Sequence, residues 1–426
     1  MEDNLNDVQT PGLKRSSRQS KLPVKLNDYV INSSVKYCIE KYVSYSKLKG
    51  SNLCFATTLN KSIEPTCLKD ALSDHNWVEA MNNEIEAINS NNTWTECDLP
   101  LERKPIGSKW IWKIKYKASS KIKRYKARLV AKGFNQREGF DYDETFSHVV
   151  KMVTVRCLIS IAMANSWPLY KLDVNNAFLY GDLKEDVYMS LPEGYNRVNN
   201  HKVFKLNKSL YGLKQAPRQW NAKLTTALVE HGFEQSKFDY SLYVKKKGSM
   251  FVALLVYVDD IVITWNDEVE IKSFKNFLSS KFLIKDLGEL KYFLGIEVLK
   301  SDKGLCMTQR KYCLELLHEY GLLAAKPVDI PFLENTVLSH VETDKDKFLN
   351  NFTSYQKLVW KLIYLTHTRP DINYVVHCLS QHMHSPLQSH FKAALRVLRY
   401  LKGSPSLGLQ FDKCSDLKLR AYADAD

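Results

Sequence analysis

Phe251–Thr264 reads FVALLVYVDDIVIT, with apolar strand formers directly abutting Asp259 and Asp260 on both sides. The pattern predicts a β-hairpin with the acid pair at its turn. Aspartates are ordinary in turns. Here, though, no Gly or Asn stands beside them to relieve the backbone. Two adjacent carboxylates held against apolar walls repel each other and lose hydration, at a cost of several kcal/mol unless a cation neutralises them. Mg²⁺ suits the position, because it takes one or two carboxylates together with substrate phosphates.

Upstream, Trp167–Val174 (WPLYKLDV) predicts a short strand that delivers Asp173 to its C-terminal end, before Asn175-Asn176-Ala177-Phe178. Alone, Asp173 reads as a strand-ending turn residue. Combined with Asp259 and Asp260, it makes a three-carboxylate set supplied by two strands. Such a set can hold two divalent ions roughly 3.5–4 Å apart, one acting on an attacking hydroxyl and the other on a leaving pyrophosphate. A third element, Ser209–Pro217 (SLYGLKQAP), offers Gly212 for close backbone approach, Lys214 as a cation and Pro217 to open a helix.

The remaining chemistry is cationic. The 426 residues carry 61 Lys+Arg against 47 Asp+Glu, a net charge of +14, and the excess is concentrated. Arg103–Arg137 holds thirteen Lys/Arg and no acid, with Trp110, Ile111, Trp112, Ile114 and Tyr116 set among Lys109, Lys113, Lys115 and Lys117. This predicts a strand with one buried and one basic face, a turn at Ser119-Ser120, and a returning strand over Arg124–Lys132. A basic hairpin suits a nucleic-acid backbone or a triphosphate, and it also suits a solvated edge protected from pairing. With 44% hydrophobic and 12% aromatic residues, a wholly disordered chain is excluded. No run approaches the roughly 18–20 apolar residues of a membrane span. Nine scattered cysteines without a C-x-x-C pair predict free thiols in a reducing, intracellular compartment.

Helices are expected at Trp77–Ile88 (capped by Ser73 or Asp74), Val153–Ala164, Lys223–His231, Val269–Phe282, Lys311–Tyr320, Lys357–Thr366, Val375–Met383 and Phe391–Leu401. Further strands are expected from Tyr240 and over Tyr292–Leu299. Residues 1–60, including the basic patch Lys14–Arg18, read as a linker or tail, and 327–350 as a second linker. Strands and helices mix without βαβ alternation, which favours α+β.

The ordered segments TFSHVVKMVTVR (145–156), LDVNNAFLYGDL (172–183), KSLYGLKQAPRQW (208–220), LLVYVDDIVIT (254–264), KDLGELKYFLGIEV (285–298), TRPDINYVV (368–376) and AALRVLRYLKG (393–403) resemble the reverse transcriptase of copia-type LTR retrotransposons. The resemblance runs from about Trp77 to the C-terminus. It implies a right-hand polymerase: an integrase-to-polymerase linker over 1–76, fingers, palm and thumb over 77–320, a helical connection segment over 321–412, and the start of an RNase H domain over 413–426. RAYADAD would be that domain's opening strand, with Asp424 its first metal ligand and its remaining carboxylates absent.

By the same resemblance, Asp173, Asp259 and Asp260 are the catalytic metal ligands, for two Mg²⁺ ions with Mn²⁺ as an alternative. Lys126 and Arg128 contact the triphosphate. Phe178 is a gate against the ribose 2′-hydroxyl, and Tyr211, Gly212 and Lys214 lie beneath the incoming nucleotide and template. Phe293-Leu294-Gly295 is the primer grip, and Lys285 a candidate general acid. The partners are an RNA or DNA template-primer and deoxynucleoside triphosphates, in a cytoplasmic virus-like particle with a nuclear stage. Trp265 and Trp360 stand where a glycine is usual and His148 where a proline is usual, so overpacking is expected at the tryptophans. Two other readings stay open: a catalytically inactive nucleic-acid-binding relic of a Pol polyprotein, and a metal-dependent nuclease using the same aspartates.

Overall fold

A short helix, α1 (Leu68–Leu72), leads to Asp74, whose carboxylate accepts the amide of Asn76 and caps α2 (His75–Ser90). The structure, a computed structural model, describes residues 64–116, 122–195, 202–332 and 338–413. Lys14–Arg18, Ser119-Ser120 and Arg420–Asp426 lie outside the described residues. The spacing of Trp77, Met81, Ile85 and Ile88 predicts that these four form the apolar stripe of α2. Its buried residues are Trp77, Met81, Glu84 and Ile88, so a glutamate takes the place of Ile85.

After β1 (Trp94–Asp98), strands β2 (Ser108–Tyr116) and β3 (Ile122–Ala131) pair antiparallel as a two-stranded ribbon. Trp112, Ile114 and Ala127 pack on Ala71, Trp77 and Met81. On the other face the register sets Lys113 against Lys126 and Lys115 against Arg124. The expected one-sided basic hairpin is therefore present.

Next come α3 (Met152–Ala164), β4 (Leu169–Val174), β5 (Asp182–Ser190) and β6 (Lys202–Lys208). The last two form a three-stranded sheet with β1, in the order β1-β6-β5. The charged residues of DLKEDVYMS hide this strand from a periodicity argument. Pro217 stands in the first turn of α4 (Ala216–Glu230), which opens well before the expected Lys223. The chain continues through β7 (Glu234–Gln235), β8 (Leu242–Lys247), β9 (Met250–Tyr257), β10 (Asp260–Trp265), α5 (Glu268–Lys281) and β11 (Ile284–Glu289).

These strands and β4 build an antiparallel six-stranded sheet, β11-β4-β10-β9-β8-β7. One face, with Leu172, Leu254, Val256, Ile261 and Ile263, packs on Trp220, Leu224, Phe274 and Leu278 of α4 and α5. The other face, with Leu169, Ala253, Leu255 and Val262, packs on Val155, Leu158 and Ile159 of α3. Burial on both faces is why FVALLVYV lacks polar alternation.

The strand expected over Tyr292–Leu299 is broken. β12 (Tyr292–Phe293) and β13 (Ile296–Ser301) are joined by Leu294-Gly295, both at positive φ (52° and 75°). The apolar pattern runs through a tight turn that only Gly295 signals. Then follow β14 (Gly304–Thr308), α6 (Arg310–Glu319), α7 (Phe352–Leu365), α8 (Asn373–Ser380), α9 (Gln388–Gly403) and β15 (Leu409–Asp412). Leu316 and Leu317 of α6 share one core with Leu358, Leu362, Val376, Val397 and Leu401 of the later helices, and β15 returns to pair with β14. The boundary expected at 320/321 therefore cuts through a continuous core.

The tryptophan expectations are corrected as well. Neither Trp265 nor Trp360 has positive φ. Trp265 ends β10, meets Tyr170 edge-on at 5.0 Å and donates its indole N–H to Glu268 at 3.1 Å. Trp360 points outward from α7, 63% exposed. His148 rests against Phe146 and Tyr240.

Beside α9 the rings of His340, His382 and His390 stack in a row, with centroids 4.2 and 3.9 Å apart. Burial, followed by repulsion from His390 and His340, pushes His382 down to about 4. Burial also lowers His390, although Asp346 opposes it. A folded state that refuses a proton accepted by the unfolded chain loses stability as pH falls below the unfolded value of about 6.5. The melting temperature should therefore decline between pH 6.5 and 4, and His382→Phe should flatten that decline in melts recorded across pH.

Candidate active site

Tyr257 pairs with Asp260, leaving Val258 and Asp259 as a two-residue turn. Val258 sits at φ +52°, the position where such turns favour glycine. For a β-branched residue this strain costs of order 1–3 kcal/mol. Two bonds hold the turn. The indole N–H of Trp220 donates to the Val258 carbonyl at 2.7 Å, and the Val174 amide donates to the Asp259 carbonyl at 2.9 Å.

The same sheet register sets Asp260 opposite Asp173, and Asp173 opposite Lys285. Directly paired residues share a face, so Lys285, Asp173, Asp260 and Tyr257 form one row across four strands, with Asp259 in the adjoining turn. Burial raises the Asp259 carboxyl above the usual range, and the charges of Asp260 and Asp173 push the same way. Asp260 is ion-paired to Lys171 at 2.7 Å. Sequence reasoning passed over Lys171, whose signal was its place two residues before Asp173, hence on the same face.

Among the described residues no three His, Cys, Asp or Glu side chains form a ready metal cage. The arrangement is a half-buried, repelled Asp259 beside Asp173, with Asp260 shared with a lysine. Such hard oxygen donors fit a divalent ion that brings phosphate ligands with it.

A cavity of about 510 Å³ opens between α2 and β3, and its lining includes Asn175 and Asn176, just past Asp173 and the end of β4, and Leu283, just before β11. Arg124, Lys126 and Arg128 line it. Burial, then Arg128 and Arg124, push the Lys126 ammonium down to about 8, a strain that an anion would relieve. Arg128 is fixed from three sides: an ion pair to buried Glu84 at 3.2 Å, a hydrogen bond to Asn176, and the Tyr211 ring 4.5 Å below its guanidinium. Glu84 escaped the sequence reading as one more charge on α2. Its spacing of seven from Trp77 and three from Met81 put it on the apolar stripe.

Phe178 meets Tyr211 edge-on at 5.0 Å. Gly212, at φ +90°, lies so close to β3 that a Cβ there would stand 2.2 Å from the Ala131 carbonyl oxygen. Lys214 is engaged within the protein, its ammonium bonded to the Gln136 carbonyl at 3.3 Å and the Tyr142 hydroxyl at 3.0 Å. Phe293 is buried, and the Leu294-Gly295 turn is fixed by the Tyr364 hydroxyl, which donates to the Leu294 carbonyl. The structure thus joins Asp173, Asp259, Asp260 and Lys285 in one place. Lys126 and Arg128 line the cavity, Tyr211 lies beneath Arg128, and Phe178 meets Tyr211 in turn.

A family model described as reverse transcriptase (RNA-dependent DNA polymerase) matches residues 91–334. The retrovirus-related Pol polyprotein from transposon RE1 of Arabidopsis thaliana is 46% identical over 373 residues, 87% of this chain and 25% of that protein. The corresponding polyprotein from transposon TNT 1-94 of Nicotiana tabacum is 38% identical, over 85% of this chain and 28% of its own length. The chain therefore spans about a quarter of the length of these curated relatives. Among solved structures, a foamy viral protease–reverse transcriptase in complex with double-stranded DNA aligns over 76% of this chain and 48% of that one, at 11% identity and a TM-score of 0.38. With a family match over more than half its residues, on an antiparallel sheet that pairs Asp173 with Asp260, the chain belongs to the reverse transcriptase family, of the copia-type retrotransposon kind.

Proposed function

We propose that this chain is an RNA-directed DNA polymerase that extends a primer on an RNA or DNA template from deoxynucleoside triphosphates, releasing pyrophosphate. The observation that carries the reading is the row of Asp173 and Asp260, with Asp259 in the adjoining turn, beside a cavity lined by Arg124, Lys126 and Arg128. Asp173 and Asp259, with Asp260 shared with Lys171, would hold the ions, Mg²⁺ or alternatively Mn²⁺. When bound, divalent ions lower the pKa of an attacking hydroxyl and neutralise phosphate charge. Lys126 and Arg128 bind the triphosphate, and Glu84 keeps Arg128 aimed at it. The Phe178 ring, braced by Tyr211, crowds the sugar's 2′ position. Lys214 supports the nucleotide loop from below, and the Leu294-Gly295 turn meets the primer. Lys285 stands next to Asp173 as a proton donor toward the departing pyrophosphate.

Primer extension on poly(rA)/oligo(dT) with Mg²⁺ tests the reading. We expect dTMP incorporation with stoichiometric pyrophosphate. A folded protein that binds template but incorporates nothing is an inactive nucleic-acid binder, and release of cleaved ends marks a nuclease. Phe178→Val should admit ribonucleotides, narrowing the dNTP-over-rNTP preference by about 10–100-fold in kcat/KM as the crowding group is removed. An unchanged preference removes the gate.

A further inference from the structure

Trp220 lies in the first turns of α4, behind the acid-bearing hairpin, and is 1% exposed. Its ring meets Phe282 edge-on at 5.2 Å and Tyr180 at 6.0 Å. A buried indole needs an acceptor for its N–H. The one it has is the carbonyl of Val258, the hairpin residue held at φ +52°. Residues in such conformations persist only where their surroundings over-determine them. Val258 has no glycine's freedom, so the fixation comes from outside the turn. The Trp220 bond sets the peptide plane entering Asp259, and the bond from Val174 to the Asp259 carbonyl sets the plane leaving it. The backbone of Asp259 is thus clamped on both sides, and the second clamp is the neighbour of Asp173.

We infer that Trp220 is a positioning residue whose indole N–H fixes the strained Val258–Asp259 turn, so that the Asp259 carboxylate is presented beside Asp173. The inference rests on the polymerase reading for its catalytic consequence, but its structural core can be tested without it. Trp220→Phe keeps an aromatic ring but removes the N–H together with part of the indole bicycle, a packing loss common to both backgrounds. Val258→Gly removes the strain that the N–H restrains, so the difference between backgrounds reads the N–H. The experiment compares Trp220→Phe in the natural and Val258→Gly backgrounds by three measurements: kcat and dNTP KM in primer extension, Mn²⁺ affinity by electron paramagnetic resonance with Asp259→Asn as reference, and melting temperature.

In the natural background we expect kcat to fall about 10–100-fold, KM to stay within about twofold and Mn²⁺ to bind about fivefold more weakly, as a misplaced group would cause. In the glycine background the same substitution should cost less than about threefold in each, because the two changes act on one turn. Equal losses in both backgrounds, or none in either, overturn the inference and leave Trp220 a packing residue. A wild-type protein that extends no primer but keeps the Mn²⁺ coupling sinks the polymerase reading and leaves the positioning role standing. Should Trp220→Phe fail to fold, benzothienylalanine at position 220, isosteric with tryptophan but lacking the N–H, makes the same comparison.

Discussion

If the chain is the polymerase proposed, Asp259→Asn is expected to reduce nucleotide incorporation by about a thousandfold or more, since it would remove a charge that holds the ions, while the protein stays folded and bound to template. The side chain is nearly isosteric, so the hairpin keeps its shape. Burial and the neighbouring Asp260 and Asp173 already hold this carboxyl above the usual range. A carboxyl whose folded pKa is raised opposes folding at neutral pH, and the penalty is relieved as pH falls through that raised value. The neutral amide should therefore leave the melting temperature at pH 7 unchanged or higher. Asp260→Asn contrasts with it, because Lys171 loses its partner and the variant should melt lower. Paired melts and primer-extension rates check both statements. Undiminished synthesis by Asp259→Asn refutes the site assignment.

Gly212→Ala should be strongly destabilising, because a Cβ there meets both a backbone clash and a positive φ. The new Cβ would sit 2.2 Å from the Ala131 carbonyl oxygen and 2.6 Å from Val130 Cγ1, at φ +90°. Backbone strain and overpacking of this kind cost about 3 kcal/mol or more together. The loop can escape only by breaking the bond from the Ala131 amide to the Tyr211 carbonyl, which also withdraws the Tyr211 ring from Arg128. Urea denaturation should show the loss of stability, and dNTP affinity should fall with it. An unmoved urea midpoint would mean that β3 and the loop are not in the contact described.

The sequence made the hairpin around Asp259 and Asp260 legible because uninterrupted β-formers on both sides of an acid pair have few other solutions. The basic ribbon was legible for a similar reason, since its tryptophans and lysines alternate with a strand's period. The pairing of Asp173 with Asp260 was less so. Composition leaves strand order open, and family resemblance supplied the link. Glu84 and Lys171 were missed because a charge near an apolar stripe looks solvated until its partner, Arg128 or Asp260, arrives from a distant segment. The single strand drawn over Tyr292–Leu299 failed because hydrophobic pattern does not register a reversal of direction. The fear of overpacking at Trp265 failed because the environment there is an ordinary strand end with room for an indole beside Tyr170 and an acceptor at Glu268.

The return of β15 to β14, together with the Tyr364 bond to the Leu294 turn, bears on how the molecule can be divided. A fragment ending at residue 320 would shed both at once. β14 would be left with a raw edge of unpaired amides and carbonyls, inviting sheet-to-sheet association between molecules. The hairpin tip would meanwhile lose the phenol that stills it. Biochemists trimming this protein should keep everything through Asp412, or expect the shortened chain to associate through that edge.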